Sequence, residues 1–260
     1  MTDFYYAIGR IRSLETYLLS GVQLGRMAAA ADLEAALAVL AETLYAENIT
    51  HISTPAAIEE LCDKERATLK ALLENLAPGN PVLAVLLKSA NSQDQAYFLQ
   101  LKTVLGKVPS PLIQKLAKQM IDRANLTTLL RTQTLKVGQS TLKGLLMEGG
   151  FIDRDLLLAI ADKTPQEIAS RLNFTIYFPY LLPGIEFFSK NRSLFLLEKL
   201  MDDFMLQGFR RAKYLGCGIE PLVGFWLAKE AEIKTLRFIL ICKMQSIDPE
   251  EIRERLRVNY

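Results

Sequence analysis

Three features of this chain could carry chemistry: a lone histidine, two adjacent aspartates, and a lysine inside an apolar helix face. His51 is the only histidine. A Ser-His-Asp or Cys-His relay would depend on it entirely. It stands in His51-Ile52-Ser53-Thr54-Pro55, which reads as a surface loop. A single histidine also excludes a histidine-based metal site. Asp202-Asp203 has the look of a metal-binding acidic cluster, but Leu206 and Gln207 occupy the next turn where a third acid would stand. The pair therefore reads as a solvated helix face. No Gly-x-x-x-x-Gly-Lys-Ser/Thr loop is present to cradle a phosphate. Gly216-Cys217-Gly218 is too short for a dinucleotide fingerprint and follows a helix instead of a strand. No catalytic residue, metal or cofactor is expected.

The lysine is Lys229, in a predicted helix from Leu222 to Ile247. At 100° per residue, Leu222, Phe225, Trp226, Ile233, Leu236, Leu240, Met244 and Ile247 share one stripe. Lys229 falls inside it. Leu227, Ala231, Phe238 and Cys242 form a second apolar side, so the helix is expected between packed neighbours. Two readings of Lys229 stand. Its stem packs on the core and its ammonium snorkels to water, or it pairs with a carboxylate such as Glu232 or one from a partner. Glu230 and Lys234 add a favourable i,i+4 pair worth ~0.2–0.5 kcal/mol.

The elements around these residues read as helices throughout. Ala, Leu, Glu and Lys dominate, and alternation of β-branched residues is scarce. A first helix is expected over roughly 4–19. Asp32 caps a second, and Thr54-Pro55 starts another with proline at the first helical position. Pro78-Gly79-Asn80-Pro81 is a strong break, Pro109-Ser110-Pro111 the clearest interior linker and Pro179–Gly184 the next. Thr164-Pro165-Gln166-Glu167-Ile168 and Asp248-Pro249-Glu250-Glu251-Ile252 echo one another as capping boxes, and Asp32 opens a weaker copy. Such recurrence points to a repeated helical module. A fainter echo links Asp94-Gln95-Ala96-Tyr97-Phe98 with Asp122-Arg123-Ala124-Asn125-Leu126.

Composition narrows the function classes. Half of the 260 residues are hydrophobic, enough for a sizeable core. Thirty-one basic against 29 acidic residues gives a net charge of +2, which argues against a nucleic-acid partner. The opening residues lack a signal-peptide pattern. The longest uncharged stretch, Leu172–Ile185, is too short to span a bilayer and holds two prolines. Cys62, Cys217 and Cys242 are odd in number and far apart, which suits a reducing cytoplasm.

Several segments together resemble one family. They are Tyr6-Ala-Ile-Gly-Arg10-Ile-Arg12-Ser-Leu-Glu15-Thr-Tyr-Leu-Leu19, then Asp122-Arg-Ala-Asn-Leu-Thr-Thr-Leu-Leu-Arg131, and above all Gly218-Ile-Glu220-Pro-Leu222 with Ala228-Lys-Glu-Ala-Glu-Ile-Lys-Thr-Leu-Arg237. The family is that of the C subunits of V/A-type rotary ATP synthases, whose counterparts in vacuolar proton pumps are the d subunits. The resemblance implies an all-α funnel of three similar helical modules around a pseudo-threefold axis. They are placed here at 1–108, 109–185 and 186–260. The short 28-residue spacing from Asp94 to Asp122 implies that one module is shortened. It further implies a non-catalytic rotor part, peripheral on the cytoplasmic face of the membrane. That part couples a central shaft of D- and F-type subunits to a proteolipid ring during proton or sodium transport. Structural or partner-interface roles are expected for Arg10, Arg12, Glu15, Glu220, Lys229, Glu230, Glu232, Lys234 and Arg237. An unrelated helical scaffold is the competing reading. An all-α enzyme is disfavoured by the missing acidic cluster.

Overall fold

The computed structural model describes residues 4–49, 52–88, 95–135 and 137–256. His51 and Asp94 lie outside them. Every regular element among the described residues is helical. In chain order the helices are α1 (Tyr5–Glu15), α2 (Gly21–Ala29), α3 (Leu33–Leu40), α4 (Pro55–Leu76), α5 (Pro81–Leu86), α6 (Gln95–Leu105) and α7 (Pro111–Thr134). They continue as α8 (Gln139–Leu145), α9 (Arg154–Ala159), α10 (Pro165–Arg171), α11 (Phe178–Asn191), α12 (Phe195–Phe209), α13 (Glu220–Met244) and α14 (Pro249–Glu254). Two 3-10 turns cover Ala46–Asn48 and Arg210–Tyr214.

One local device starts five of these helices. Thr54, Asn80, Ser110, Thr164 and Asp248 each cap a helix whose first residue is proline. The cap oxygen accepts from an amide two or three residues on, and the proline lacks the N–H that would be orphaned there. Thr164 and Glu167 complete the expected capping box. Asp248 does not: it accepts from the Glu250 amide, and Glu251 pairs with Arg255 instead of reaching back. Asp32 caps α3 by accepting from the Ala35 amide.

Two expected boundaries move. The helix expected over 4–19 ends at Glu15, because Ser20 and Gln23 form a capping box that starts α2 afresh. Pro179–Gly184, expected as a linker, is the opening of α11. Pro179 sits in the first turn, where proline is tolerated. Pro183 forfeits one ladder bond inside the helix, and the buried Leu181, Ile185 and Phe188 hold the element together.

The chain forms two compact units, Met1–Gly79 with Leu206–Tyr260, and Asn80–Met205. In the first unit α13 packs along α4 and against α1, α2 and α3. That explains its two apolar sides. Leu222, Phe225, Trp226, Ile233, Leu236 and Leu240 of the expected stripe are all buried. The core of this unit joins Leu24, Met27, Leu40 and Ile58 to Ile233, Leu236 and Ile252. In the second unit Leu126, Leu129, Ile168, Tyr177, Leu197 and Met201 share a separate core.

Candidate functional site

Lys229 lies on the face of α13 that meets α4. Its Nζ donates to Glu232 Oε1 at 2.7 Å and to the Tyr45 hydroxyl at 3.0 Å, and stands 3.0 Å from Glu65 Oε2. The ammonium also sits 4.6 Å from the Tyr45 ring centroid. Tyr45 Oη in turn donates to Glu232 Oε1 at 2.7 Å, and the Leu19 amide donates to Glu232 Oε2. Side-chain exposure is 18% for Lys229, 12% for Glu65 and 4% for Glu232. Of the two readings of this lysine, the paired one holds, and both carboxylates come from this chain.

Charge and burial oppose one another here. Burial pushes the Lys229 ammonium down, but attraction to Glu232 and Glu65 outweighs it and leaves the pKa raised. Burial, and then the charges of Glu232 and Glu65, hold the Tyr45 hydroxyl far above its ordinary value. The lysine is therefore a fixed cation, and its three donors are matched by three acceptors. It is the reverse of a desolvated amine poised as a nucleophile or base. Cys62, on the same helix as Glu65, is equally unreactive, because burial pushes its thiol up to about 11.

The other expected residues sort into separate contacts. Glu230 stands 3.5 Å from Arg66 Nε. Arg237 Nε reaches Glu59 at 2.7 and 2.9 Å on the surface. With Lys229–Glu65 these make three ion pairs between the helices: Lys229 and Glu230 meet Glu65 and Arg66, and Arg237, two turns further along α13, meets Glu59 earlier in α4, so the two helices run antiparallel. Arg12 grips Glu15 at 2.8 and 2.9 Å and donates to the carbonyls of Ala212 and Leu215. It ties α1 to the Arg210–Tyr214 turn. Glu220 opens α13, where an acid suits the helix dipole. Arg10 is exposed and Lys234 half-buried.

A groove of about 470 Å³ opens beside Lys229, lined by Tyr17, Leu18, Leu44, Leu72 and Phe225 among others. Among the described residues no group of three or more His, Cys, Asp or Glu side chains could hold a metal. No described helix is long and apolar enough to cross a membrane.

A second polar knot lies in the Asn80–Met205 unit. Asp122 of α7, fully buried, accepts from the amides of Phe151 and Ile152 at 2.8 and 3.1 Å and from the Tyr177 hydroxyl at 2.7 Å. Burial raises its pKa, and those hydrogen bonds pull it partway back. One turn on, Asn125 donates to the carbonyl of Met147 and accepts from its amide, both at 2.8 Å. The Asp122-Arg-Ala-Asn125 motif is thus a clamp on the loop before α9. The aspartate pair of α12 also departs from expectation. Asp203 is buried against Lys199 at 3.1 Å, and Asp202 meets Arg123 Nε at 2.8 Å. Neither is a solvated face, because lysine and arginine neighbours compensate their burial. Tyr45, Glu65 and Tyr177 carry no signal in the sequence: each acts through a partner more than fifty positions away.

The model of the ATP synthase (C/AC39) subunit family matches residues 90–255. The chain is similar to the C subunit of the A-type ATP synthase of Methanocaldococcus jannaschii, with 22% identity over 98% of this chain and 86% of that one. That alignment runs over 345 residues, so it holds stretches that this 260-residue chain lacks. It is also similar to the C subunit of the V-type sodium ATPase of Enterococcus hirae, 30% identical over 54% of this chain and 42% of the other. Against the C subunit of the A-type ATP synthase of Pyrococcus furiosus it is 24% identical over 74% of this chain and 54% of that protein.

Proposed function

Because this chain belongs to the ATP synthase (C/AC39) subunit family, we propose that it is the non-catalytic rotor part that couples a central shaft to a membrane ring. The observation that carries this reading is the family match over 90–255, extended to 98% of the chain by the Methanocaldococcus relative. The site geometry supports it. The most elaborate polar site, around Lys229, locks helices together, with each donor of the ammonium matched by an acceptor.

On this reading the shaft is of D and F type, the ring is the proteolipid rotor ring, and the protein sits peripherally at its cytoplasmic face. It works during ATP-linked proton or sodium transport. Three modules, 1–108, 109–185 and 186–260, surround a pseudo-threefold axis, with one shortened. Arg12, Glu15, Lys229, Glu230, Glu232 and Arg237 serve the internal joints, and Arg10, Glu220 and Lys234 are the partner-facing candidates. One charge crossing 100 mV delivers ~2.3 kcal/mol, so a coupling part that yielded at that energy would waste the gradient. A lattice of buried ion pairs is suited to such stiffness.

The test is deletion of the gene. The soluble head should still hydrolyse ATP while ion pumping by the assembled machine is lost. Pumping that survives the deletion overturns the proposal.

A further inference from the structure

The groove beside Lys229 lies wholly within the Met1–Gly79 and Leu206–Tyr260 unit, and its lining is of two kinds. Leu14, Leu18, Leu69, Leu72 and Phe225 make an apolar wall, on which Leu44 keeps 64% of its surface in water. The charged part of the lining is Glu47, Glu65 and Lys229. Charge does not balance there. Lys229 is shared by Glu65 and Glu232, so two carboxylates face one ammonium and the cluster keeps one negative charge in a largely dry place. The Tyr45 hydroxyl, the Leu19 amide and the Asn48 carboxamide donate to these carboxylates, but they are dipoles and leave the net charge as it is. Of the two carboxylates, Glu65 is the one that reaches the groove. Glu47, exposed on the same lining, adds a second negative charge. The neighbouring cations are engaged elsewhere. Arg66 stands against Asp63 and Glu230, and Arg237 holds Glu59. Lys64 lies outside the lining, in water, where it donates to Asn48.

An excess carboxylate beside an apolar wall selects one kind of ligand. Near Glu65 the attraction to a cation is screened less than on an open surface. The same place repels an anion. A mostly apolar concavity of about 470 Å³ with a few convergent polar groups has the size and make-up of a small-molecule site. A stable protein partner needs about 1,000 Å² of buried surface, so the observations favour a small molecule. We propose that this groove binds an organic cation, a molecule with an aliphatic or aromatic body and a protonated amine at one end. The body covers the leucines and Phe225, and the ammonium supplies the positive charge that Glu65 and Glu47 lack. This proposal stands apart from the rotary reading, since the groove is built from this chain alone.

The experiment titrates the full chain with two fluorescent probes that share a dansyl body and an alkyl arm. Dansylcadaverine ends in an amine, and dansyl-aminohexanoic acid ends in a carboxylate. At neutral pH the amine should bind to a single site, at least about tenfold more tightly than the acid. Glu47→Gln and Leu44→Lys both change exposed positions, so thermal unfolding should be unaltered. Each should weaken the amine several-fold, and Leu44→Lys should strengthen the acid. Glu65→Gln leaves Lys229 and Glu232 as a one-to-one pair and should abolish the preference for the amine. The proposal is overturned by equal affinity for the two probes, by failure of the full chain to bind the amine, or by wild-type amine affinity in both Glu47→Gln and Leu44→Lys. Those two variants keep the test decisive even if Glu65→Gln fails to fold.

Discussion

At the scale of single residues, this protein invests in buried charge. Replacing Lys229 with alanine leaves Glu232 and Glu65 facing each other's charge in a largely dry site. Breaking a buried pair typically costs about 3–5 kcal/mol, well above the ~0.5 kcal/mol of an ordinary surface change. Urea unfolding of Lys229→Ala should show a loss of that size, and a change under ~0.5 kcal/mol would deny the cluster its structural role. The raised pKa of Lys229 means that its contribution is fully present below 10.5 and fades only as pH climbs through the folded value. Asp122 has the opposite consequence. Its folded pKa lies above 3.8, so the folded chain holds that proton more tightly than the unfolded chain. Its contribution is greatest below 3.8, falls as pH rises through the folded value and is level beyond it. Asp122→Asn removes that slope and sets an N–H against the Phe151 or Ile152 amide, at ~1–3 kcal/mol. The stability gap between wild type and Asp122→Asn should therefore widen as pH falls from 7 toward 4; a constant gap would contradict the assignment. Lys229 could be picked out in the sequence because it interrupts an apolar stripe. Tyr45 and Glu65 could not, because their roles exist only once α4, α13 and the Tyr45 turn have met.

At the scale of elements, local signals located starts better than joints. A cap followed by proline marks five helices, since the capping oxygen and the fixed φ of proline act within one turn and need no tertiary context. Thr164→Ala should lower stability by ~1 kcal/mol by removing the hydroxyl that accepts from the Glu167 amide, while the backbone half of the α10 capping box, Thr164 N–H to Glu167, remains. Unfolding by denaturant checks this, with Asp248→Ala, whose helix lacks the reciprocal bond, as the comparison. The proline-rich opening of α11 misled for an equally physical reason. Turn composition at Pro179–Gly184 is overridden by the burial of Leu181 and Ile185 on either side of Pro183. The break at 16–20 is hard to see because Ser20 and Gln23 cap one another without a proline or glycine before them.

At the scale of the whole molecule, the all-helical class was legible from composition, whereas the partition into Met1–Gly79 with Leu206–Tyr260 and Asn80–Met205 was not, because it is set by contacts between the two ends of the chain. The Asn80–Met205 unit has a core of its own, built from Leu126 through Met201. Expressed alone, residues 80–205 should unfold cooperatively by circular dichroism. Residues 1–79 alone should not, because Ile58, Leu40 and Met27 share their core with Ile233, Leu236 and Ile252. This arrangement also sets a timetable on the ribosome. At about 5–20 residues per second, on the order of ten to thirty seconds separate the emergence of Gly79 from that of Ile233. For that interval α2, α3 and α4 expose an apolar face whose natural cover has yet to be synthesised. The expected consequence is that synthesis passes through a stage prone to aggregation, which ends when the C-terminal helices are made.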